Sequence, residues 1–368
     1  METKLPRNIG HKRRILFVLP SLMPGGAERV MITLMNDLDS TQFEPELAIV
    51  YPGGTLRDLI NTDIPVWDLN HKGHILFSAM KLLHLIRMQK IDIVISTMAP
   101  MNFTVLLLKP LLGKTKIIVR EAITPSYLFQ THPRLAPLVR RFYRWLYPLA
   151  DRIISPSNQI MQEFSQDLKM DMKRHAWLPN PVNLEKIRAL SPTTRTQPGL
   201  WFVSGGRLHP QKGYDRLIPA LKDFNPGMPW TLTILGEGPE RANLEALIVD
   251  NGLGQKIFLA GHVQTPWSYY AAADTFLLPS RWEGLPNVVL ESLACGTPVI
   301  AMKEAGGIED IAKLAPQSVT TVPDINAMIT AMAQVAPAPT QDFRQSLLPA
   351  AFNRHDVHKR FTEIILSS

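Results

Sequence analysis

The sequence predicts an α/β protein of two domains, each organised on a parallel sheet. Three observations support that class. A chain of 368 residues exceeds what a single core usually serves. Its apolar runs are short and lack residue-by-residue alternation, the pattern of strands covered on both faces. A strand, a glycine turn and a helix follow one another near the start of each half, and a Pro-, Thr- and Gln-rich stretch at 191–199 separates the halves.

Residues 15–19 read as the first strand. The basic Lys12-Arg13-Arg14 before them could pass for the start of a signal peptide. Pro20 interrupts the apolar run, however, and Gly25-Gly26 leads into a helix and not a cleavage site, so a buried strand is preferred. From Ala27 onward Val30, Met31, Leu34, Met35 and Leu38 keep helical spacing. A glycine turn in this position brings backbone N–H groups to a phosphate. Gly25-Gly26 alone is a weak sign of it, and Glu28 and Arg29 read equally as acceptor contacts or as a solvated first turn. Asp37-Leu38-Asp39 is formally a metal-type D-x-D, but no strand precedes it and it reads as surface.

Further strands are expected at 43–50, 66–67, 91–96 and 116–119, with an amphipathic helix at 75–88 whose rim carries His74 and His84. The stretch from Tyr127 to Tyr147 places Arg134, Arg140, Arg141, Arg144, Phe142, Tyr143 and Trp145 at helical spacing. It reads either as an interfacial helix set against anionic lipid or as an ordinary amphipathic helix with its arginines in water. Nucleic acid lacks support, because no base-reading motif is present. Residues 153–157 end the first domain, and the crossing to the second is expected within 180–199.

The second half restarts with a strand at 200–203, followed by Ser204-Gly205-Gly206-Arg207-Leu208-His209-Pro210-Gln211-Lys212-Gly213 and a helix from Tyr214. Two fixed cations beside a glycine turn suit a diphosphate, Arg207 as a fork and Lys212 as a point charge. His209 reads as a loop residue. Strands at 231–235, 257–259 and 276–278 follow, with Gly261-His262-Val263 after the second of them.

Then comes Pro279-Ser280-Arg281-Trp282-Glu283-Gly284-Leu285-Pro286-Asn287, continuing to Ile300. Gly284 and Pro286 require a loop, Asn287 is the expected N-cap of a short helix, and Gly296-Thr297-Pro298 ends it before a buried strand. The start of such a helix favours an anion. Glu283 precedes it and Glu291 lies one turn in, so two acceptor-only carboxylates flank a phosphate site. On spacing alone they could equally be surface glutamates.

This run resembles the E-x7-E signature of family-4 (group 1) glycosyltransferases, retaining enzymes of the GT-B fold that include bacterial surface-polysaccharide enzymes. The resemblance covers nearly all of 200–310 and is thinner in 1–180. It implies two facing Rossmann-like domains with a central cleft: 1–185 binding the acceptor, with a C-terminal helix at 355–368 packed back on it, and 186–354 binding the donor. It further implies transfer from a nucleoside-diphosphate sugar, with UDP the expected nucleotide, to a saccharide or lipid-linked saccharide, without a metal or other cofactor.

By the same resemblance Glu283 contacts the donor sugar and Glu291 the ribose, Arg207 and Lys212 neutralise the diphosphate, and Gly25-Gly26 approaches it. Gly284, Leu285, Pro286 and Asn287 complete the phosphate site, and Val263 lies by the nucleobase. Members often carry a His after the strand matching 116–119. Here the chain reads Arg120-Glu121-Ala122, which leaves Glu121 or Arg120 as its replacement, or the role unfilled with Glu121 a buried or salt-bridged structural residue.

Composition sets the remaining bounds. The single cysteine, Cys295, excludes a disulfide framework or a cysteine metal site, and no apolar run reaches the length of a spanning helix. The formal charge is +7, but residues 1–180 hold 23 Lys and Arg against 15 Asp and Glu, whereas 181–368 hold 16 against 17. The basic first half fits a cytoplasmic protein peripheral on the inner membrane, handling a lipopolysaccharide or other lipid-linked acceptor. A nucleotide-sugar epimerase on the same fold and a non-catalytic sugar-nucleotide-binding protein are the alternatives.

Overall fold

The computed structural model describes residues 12–69, 75–131, 133–190, 199–338 and 344–368. His74 and residues 191–198 of the expected interdomain crossing lie outside these residues. The chain divides into two compact units. One comprises Met1–Ser155, Met161–Leu178 and His358–Ser368, the other Pro156–Ile160 and Pro179–Val357.

The first unit is built on strands β1 (Arg13–Leu19), β2 (Phe43–Ile49), β3 (Val66–Asp68), β4 (Ile93–Thr97), β5 (Lys116–Arg120), β6 (Arg152–Ser155) and β7 (His175–Trp177). They pair in parallel in the order β3-β2-β1-β4-β5-β6-β7. The run Ile15–Leu19 is wholly buried, as a central strand covered on both faces requires. Gly26–Asn36 forms the first helix and buries Val30, Met31, Leu34 and Met35. The last helix, Arg354–Leu366, buries Phe361 and Ile365, with the Phe361 ring 6.3 Å from that of Phe17.

The Tyr127–Tyr147 stretch is two helices, Pro125–Thr131 and Ala136–Leu146. Pro133, in the gap, accounts for the break because proline lacks the N–H that continues a helix, whereas Pro137 is tolerated in the first turn of the second helix. In the second helix Tyr143 and Leu146 face the core, whereas Leu138, Arg141, Arg144 and Trp145 are exposed. Among the described residues no helix is long and apolar enough to cross a membrane.

The second unit carries β8 (Leu200–Gly205), β9 (Trp230–Leu235), β10 (Ile257–Gly261), β11 (Thr275–Leu278), β12 (Val299–Met302) and β13 (Val319–Val322). Their order is β10-β9-β8-β11-β12-β13, again all parallel. The Asn287–Ala294 helix packs on this sheet through Val289, Leu290 and Leu293, each fully buried and each worth about 1.5–3 kcal/mol of apolar transfer. Gly296 at φ 81° ends it.

Both sheets reverse their strand order once, between β1 and β4 and between β8 and β11. In open α/β sheets ligands bind outside the carboxyl ends of the strands at such a reversal.

Candidate functional site

In the second unit the loops leaving β8 and β11 both emerge at the reversal. They carry Arg207 and Lys212 on one side and Glu283 on the other. Lys212 Nζ lies 2.7 Å from Glu283 Oε1, and the two side chains are 15% and 10% exposed. Ser280 Oγ donates to the same oxygen at 2.9 Å. Gln211 Nε2 donates to the Trp282 carbonyl at 2.9 Å and more weakly to Glu283 Oε2 at 3.4 Å. The carboxylate is thus oriented by three neighbours, with Oε1 the more heavily engaged. Gly306, at φ 72°, allows the β12 loop to approach from behind, because a Cβ there would lie 2.0 Å from the Glu283 carbonyl oxygen. Arg207 is exposed, and its guanidinium makes no hydrogen bond or ion pair with the described residues. It is therefore a cation available to a ligand.

Gly284, Leu285 and Pro286 are buried and lead into the helix. Pro286, at φ −75° and ψ 101°, takes the N-cap position, and Asn287 is the first helical residue. The expected Asn287 cap is thus corrected: proline's ring already fixes the extended entry, and Asn287 turns its side chain to another partner. Asn180 Nδ2 donates to Asn287 Oδ1 at 2.6 Å and to the Leu285 carbonyl at 3.2 Å. Asn180, which is buried, was not singled out from the sequence. Its signal was a lone amide between Pro179 and Pro181. The Asn287 and Val288 amides have no intrahelical acceptor and remain available to an anion, whereas the Val289 amide donates to the Pro286 carbonyl at 3.1 Å.

Glu291 lies one turn further on, and Trp267 Nε1 donates to its Oε2 at 3.3 Å. Trp267, at the start of the Trp267–Ala272 helix after β10, is a second residue that sequence reasoning missed. Val263 sits half-buried in the loop between β10 and that helix. His209 caps the Pro210–Lys212 turn through Nδ1, which accepts from Gln211 N at 3.2 Å, consistent with a loop role.

The remaining candidates belong to the first unit. Gly25 is the N-cap and Gly26 the first residue of the helix after β1, at that sheet's reversal. The Glu28 carboxyl folds back over this turn, and a Cβ on Gly25 would lie 2.2 Å from Glu28 Oε2. Burial raises the Glu28 pKa.

Glu121 follows β5 and is only 1% exposed. Burial pushes its pKa up to about 8, against smaller opposing effects of hydrogen bonds from Asn102 and Tyr143. Its Oε1 accepts from Asn102 Nδ2 at 3.3 Å and Tyr143 OH at 3.5 Å. Neighbouring Arg120 is equally enclosed, and burial lowers its pKa to about 10. This is a buried polar network spanning β4, β5 and the Ala136–Leu146 helix. Among the described residues no group of three or more His, Cys, Asp or Glu is placed to hold a metal ion.

Residues 193–346 match the family described as Glycosyl transferases group 1, and residues 24–186 match Glycosyltransferase Family 4. The chain is 30% identical over 305 residues to N-acetylgalactosamine-N,N'-diacetylbacillosaminyl-diphospho-undecaprenol 4-alpha-N-acetylgalactosaminyltransferase of Campylobacter jejuni, covering 79% of this chain and 81% of that protein. Among solved structures, Anabaena Alr3699/HepE in complex with UDP aligns with a TM-score of 0.76 at 18% identity, over 96% of this chain and 100% of that one. WaaG, a glycosyltransferase involved in lipopolysaccharide biosynthesis, aligns at 0.71 and 15%, over 96% and 100%. At these identities the two structures speak to the fold, and they bear out the expected GT-B class.

Proposed function

The chain belongs to the group 1, family 4 glycosyltransferases, and on that premise we propose that it moves a sugar from a UDP-sugar to a lipid-linked saccharide with retention of configuration. The observation that carries this reading is the Lys212–Glu283 pair beside the unpartnered Arg207 and the Asn287–Ala294 helix start. Together they offer cations and amides to a diphosphate and a fixed carboxylate to a sugar hydroxyl. Glu291, steadied by Trp267, receives the ribose hydroxyls, and Val263 lies against the base.

In the reaction the bond between the anomeric carbon and the β-phosphate oxygen breaks, and the acceptor oxygen bonds to that carbon on the same face. The acceptor's proton passes to the departing phosphate. Arg207, Lys212 and the helix amides stabilise the charge that develops there, so this reading calls for no metal. Glu121, too enclosed to meet the sugar, supports the loop after β5 from beneath through Asn102 and Tyr143.

A second part of the proposal concerns location. The Ala136–Leu146 helix exposes Leu138, Trp145, Arg141 and Arg144, with the Arg141 guanidinium 3.8 Å from the Trp145 ring. Apolar and aromatic groups beside cations suit the headgroup level of an anionic leaflet. We place the protein there, on the cytoplasmic face of the inner membrane.

The test is transfer from UDP-hexoses and UDP-N-acetylhexosamines to undecaprenyl-diphosphate-linked saccharides, with the anomer of the product read by NMR. An α-product from an α-donor is expected. An inverted product would overturn retention, and formation of an isomerised nucleotide sugar without acceptor would replace the reading with epimerisation.

The nucleotide-sugar expectation also supplies a chemical setting: the phosphate side is cationic, the sugar side anionic, and Lys212 and Glu283 sit where the two meet.

A further inference from the structure

Lys212 and Glu283 lie on different segments, the Pro210–Lys212 turn after β8 and the loop after β11. Their 2.7 Å contact joins two long side chains, and something must hold their backbones in register. Arg281, two residues before Glu283, does so by several contacts. Its Nη1 and Nη2 donate to Asp215 Oδ1 and Oδ2, each at 2.7 Å, a planar fork on a carboxylate. Nη1 also donates to the Pro210 carbonyl at 2.5 Å, and the Arg281 amide donates to the Gln211 carbonyl at 2.8 Å. Asp215 in turn lies in the first turn of the Tyr214–Ala220 helix that follows Lys212.

A second brace lies alongside. Arg216 Nη2 donates to the Pro279 carbonyl at 2.6 Å, and its Nη1 pairs with Glu304 from the loop after β12. Residues 210–216, 279–283 and 304 are thereby joined across three strands. None of these four charged side chains is needed to explain the packing of the sheet. Arg281 and Asp215 remain 30% and 34% exposed, and pairs that exposed contribute little to stability. What a bidentate pair supplies here is geometry.

We propose that Asp215 and Arg281 form a positioning clamp for glycosyl transfer, setting the register between Lys212 on the diphosphate side and Glu283 on the sugar side, with Arg216 and Glu304 as its outer brace. Neither clamp residue touches substrate. The inference rests on the donor-binding reading above. Depression of the Asp215 pKa, caused first by its hydrogen bond from Arg281, accords with a pair that stays ionised.

The experiment compares binding of a nucleoside diphosphate and its monophosphate, using whichever of UDP, GDP or ADP the wild type prefers. It is run on wild type, Asp215→Asn, Arg281→Gln, Arg281→Lys and the Asp215→Asn/Arg281→Gln double variant. A displaced Lys212 weakens the diphosphate by about tenfold and leaves the monophosphate within about twofold. The double variant should match the singles, because breaking one clamp twice costs nothing more. Arg281→Lys, which keeps the charge and loses the fork, should not restore binding. Diphosphate affinity unchanged in both single variants overturns the clamp. Equal weakening of both nucleotides, with a fall in melting temperature, also overturns it, in favour of plain structural support. A wild type that binds none of the nucleotides overturns the donor site itself, which separates the two failures.

Discussion

The two units share a plan and differ in how they fill it. Each has a parallel sheet whose strand order reverses once, and each sets a glycine-bearing turn and candidate side chains at that reversal. In the second unit the loops there are cross-braced by ion pairs: Lys212 with Glu283, Asp215 with Arg281, and Arg216 with Glu304. In the first, the corresponding region after β4 and β5 is a buried network in which Glu121, Asn102, Tyr143 and Tyr147 meet through hydrogen bonds beside the buried Arg120. Residues 1–180 also hold the whole basic excess of the chain. The diphosphate proposed for the second unit calls for fixed charges, and the Lys212–Glu283 pair sets them inward, whereas Arg141 and Arg144 of the first unit are exposed.

The largest test of that contrast removes the inward charges. Glu283→Gln and Lys212→Met should each lower kcat by roughly 10²–10³-fold in a transfer assay, because the groups act on charge that develops in the transition state. A loss confined to KM would assign them to ground-state binding instead. The outward charges come next. Replacing Arg141 and Arg144 by Ala should cost about 1 kcal/mol each in binding to phosphatidylglycerol vesicles at low salt, with no change on neutral vesicles. Equal binding of wild type and variant to anionic vesicles would remove the membrane face from the account.

A comparable effect belongs to Asn180. Its replacement by Ala should cost about 1–2 kcal/mol in denaturant stability and weaken nucleotide binding, since the helix start loses its brace. Stability loss without a binding effect would mean that the brace does not reach the site.

The last test concerns Glu121 and pH. Its carboxyl titrates near 8 in the folded protein and near 4.5 when unfolded, so the folded state favours the protonated form. That stabilisation is fully present below pH 4.5 and is lost as pH rises to about 8. Glu121→Gln should therefore flatten the pH dependence of the melting temperature across this window, with its relative benefit greatest at the alkaline end. An unchanged slope between pH 5 and 8 would show that Glu121 does not titrate as its burial requires.

Much of this organisation was legible in the sequence, and the reasons differ from element to element. Ile15–Leu19 and Phe276–Leu278 could be read as strands because covered strands leave unbroken apolar runs. The Asn287–Ala294 helix was bounded by Gly284-Leu285-Pro286 on one side and Gly296 on the other. The break in the 125–146 region was obscured by a continuous aromatic and cationic pattern, although Pro133 carried it.

Pairings were least legible. Asn180 meets Asn287 across 107 positions, and Arg281 meets Asp215 across 66. Strand order creates those meetings, and no local periodicity encodes it. The sequence left Glu121 open as a site residue or a buried structural glutamate, and gave no sign of the partners, Asn102 and Tyr143, that hold it.

The most direct measurement of the central claim is nucleotide binding by calorimetry and thermal shift, using UDP, GDP, ADP and their sugars on wild type and Arg207→Ala. A ligand that binds only the folded state raises its melting temperature. Stabilisation by UDP and UDP-sugars, reduced by at least about tenfold in affinity when Arg207 is removed, is the predicted result. Nucleotide binding that Arg207→Ala leaves untouched would contradict the assignment of the diphosphate to the loops after β8 and β11.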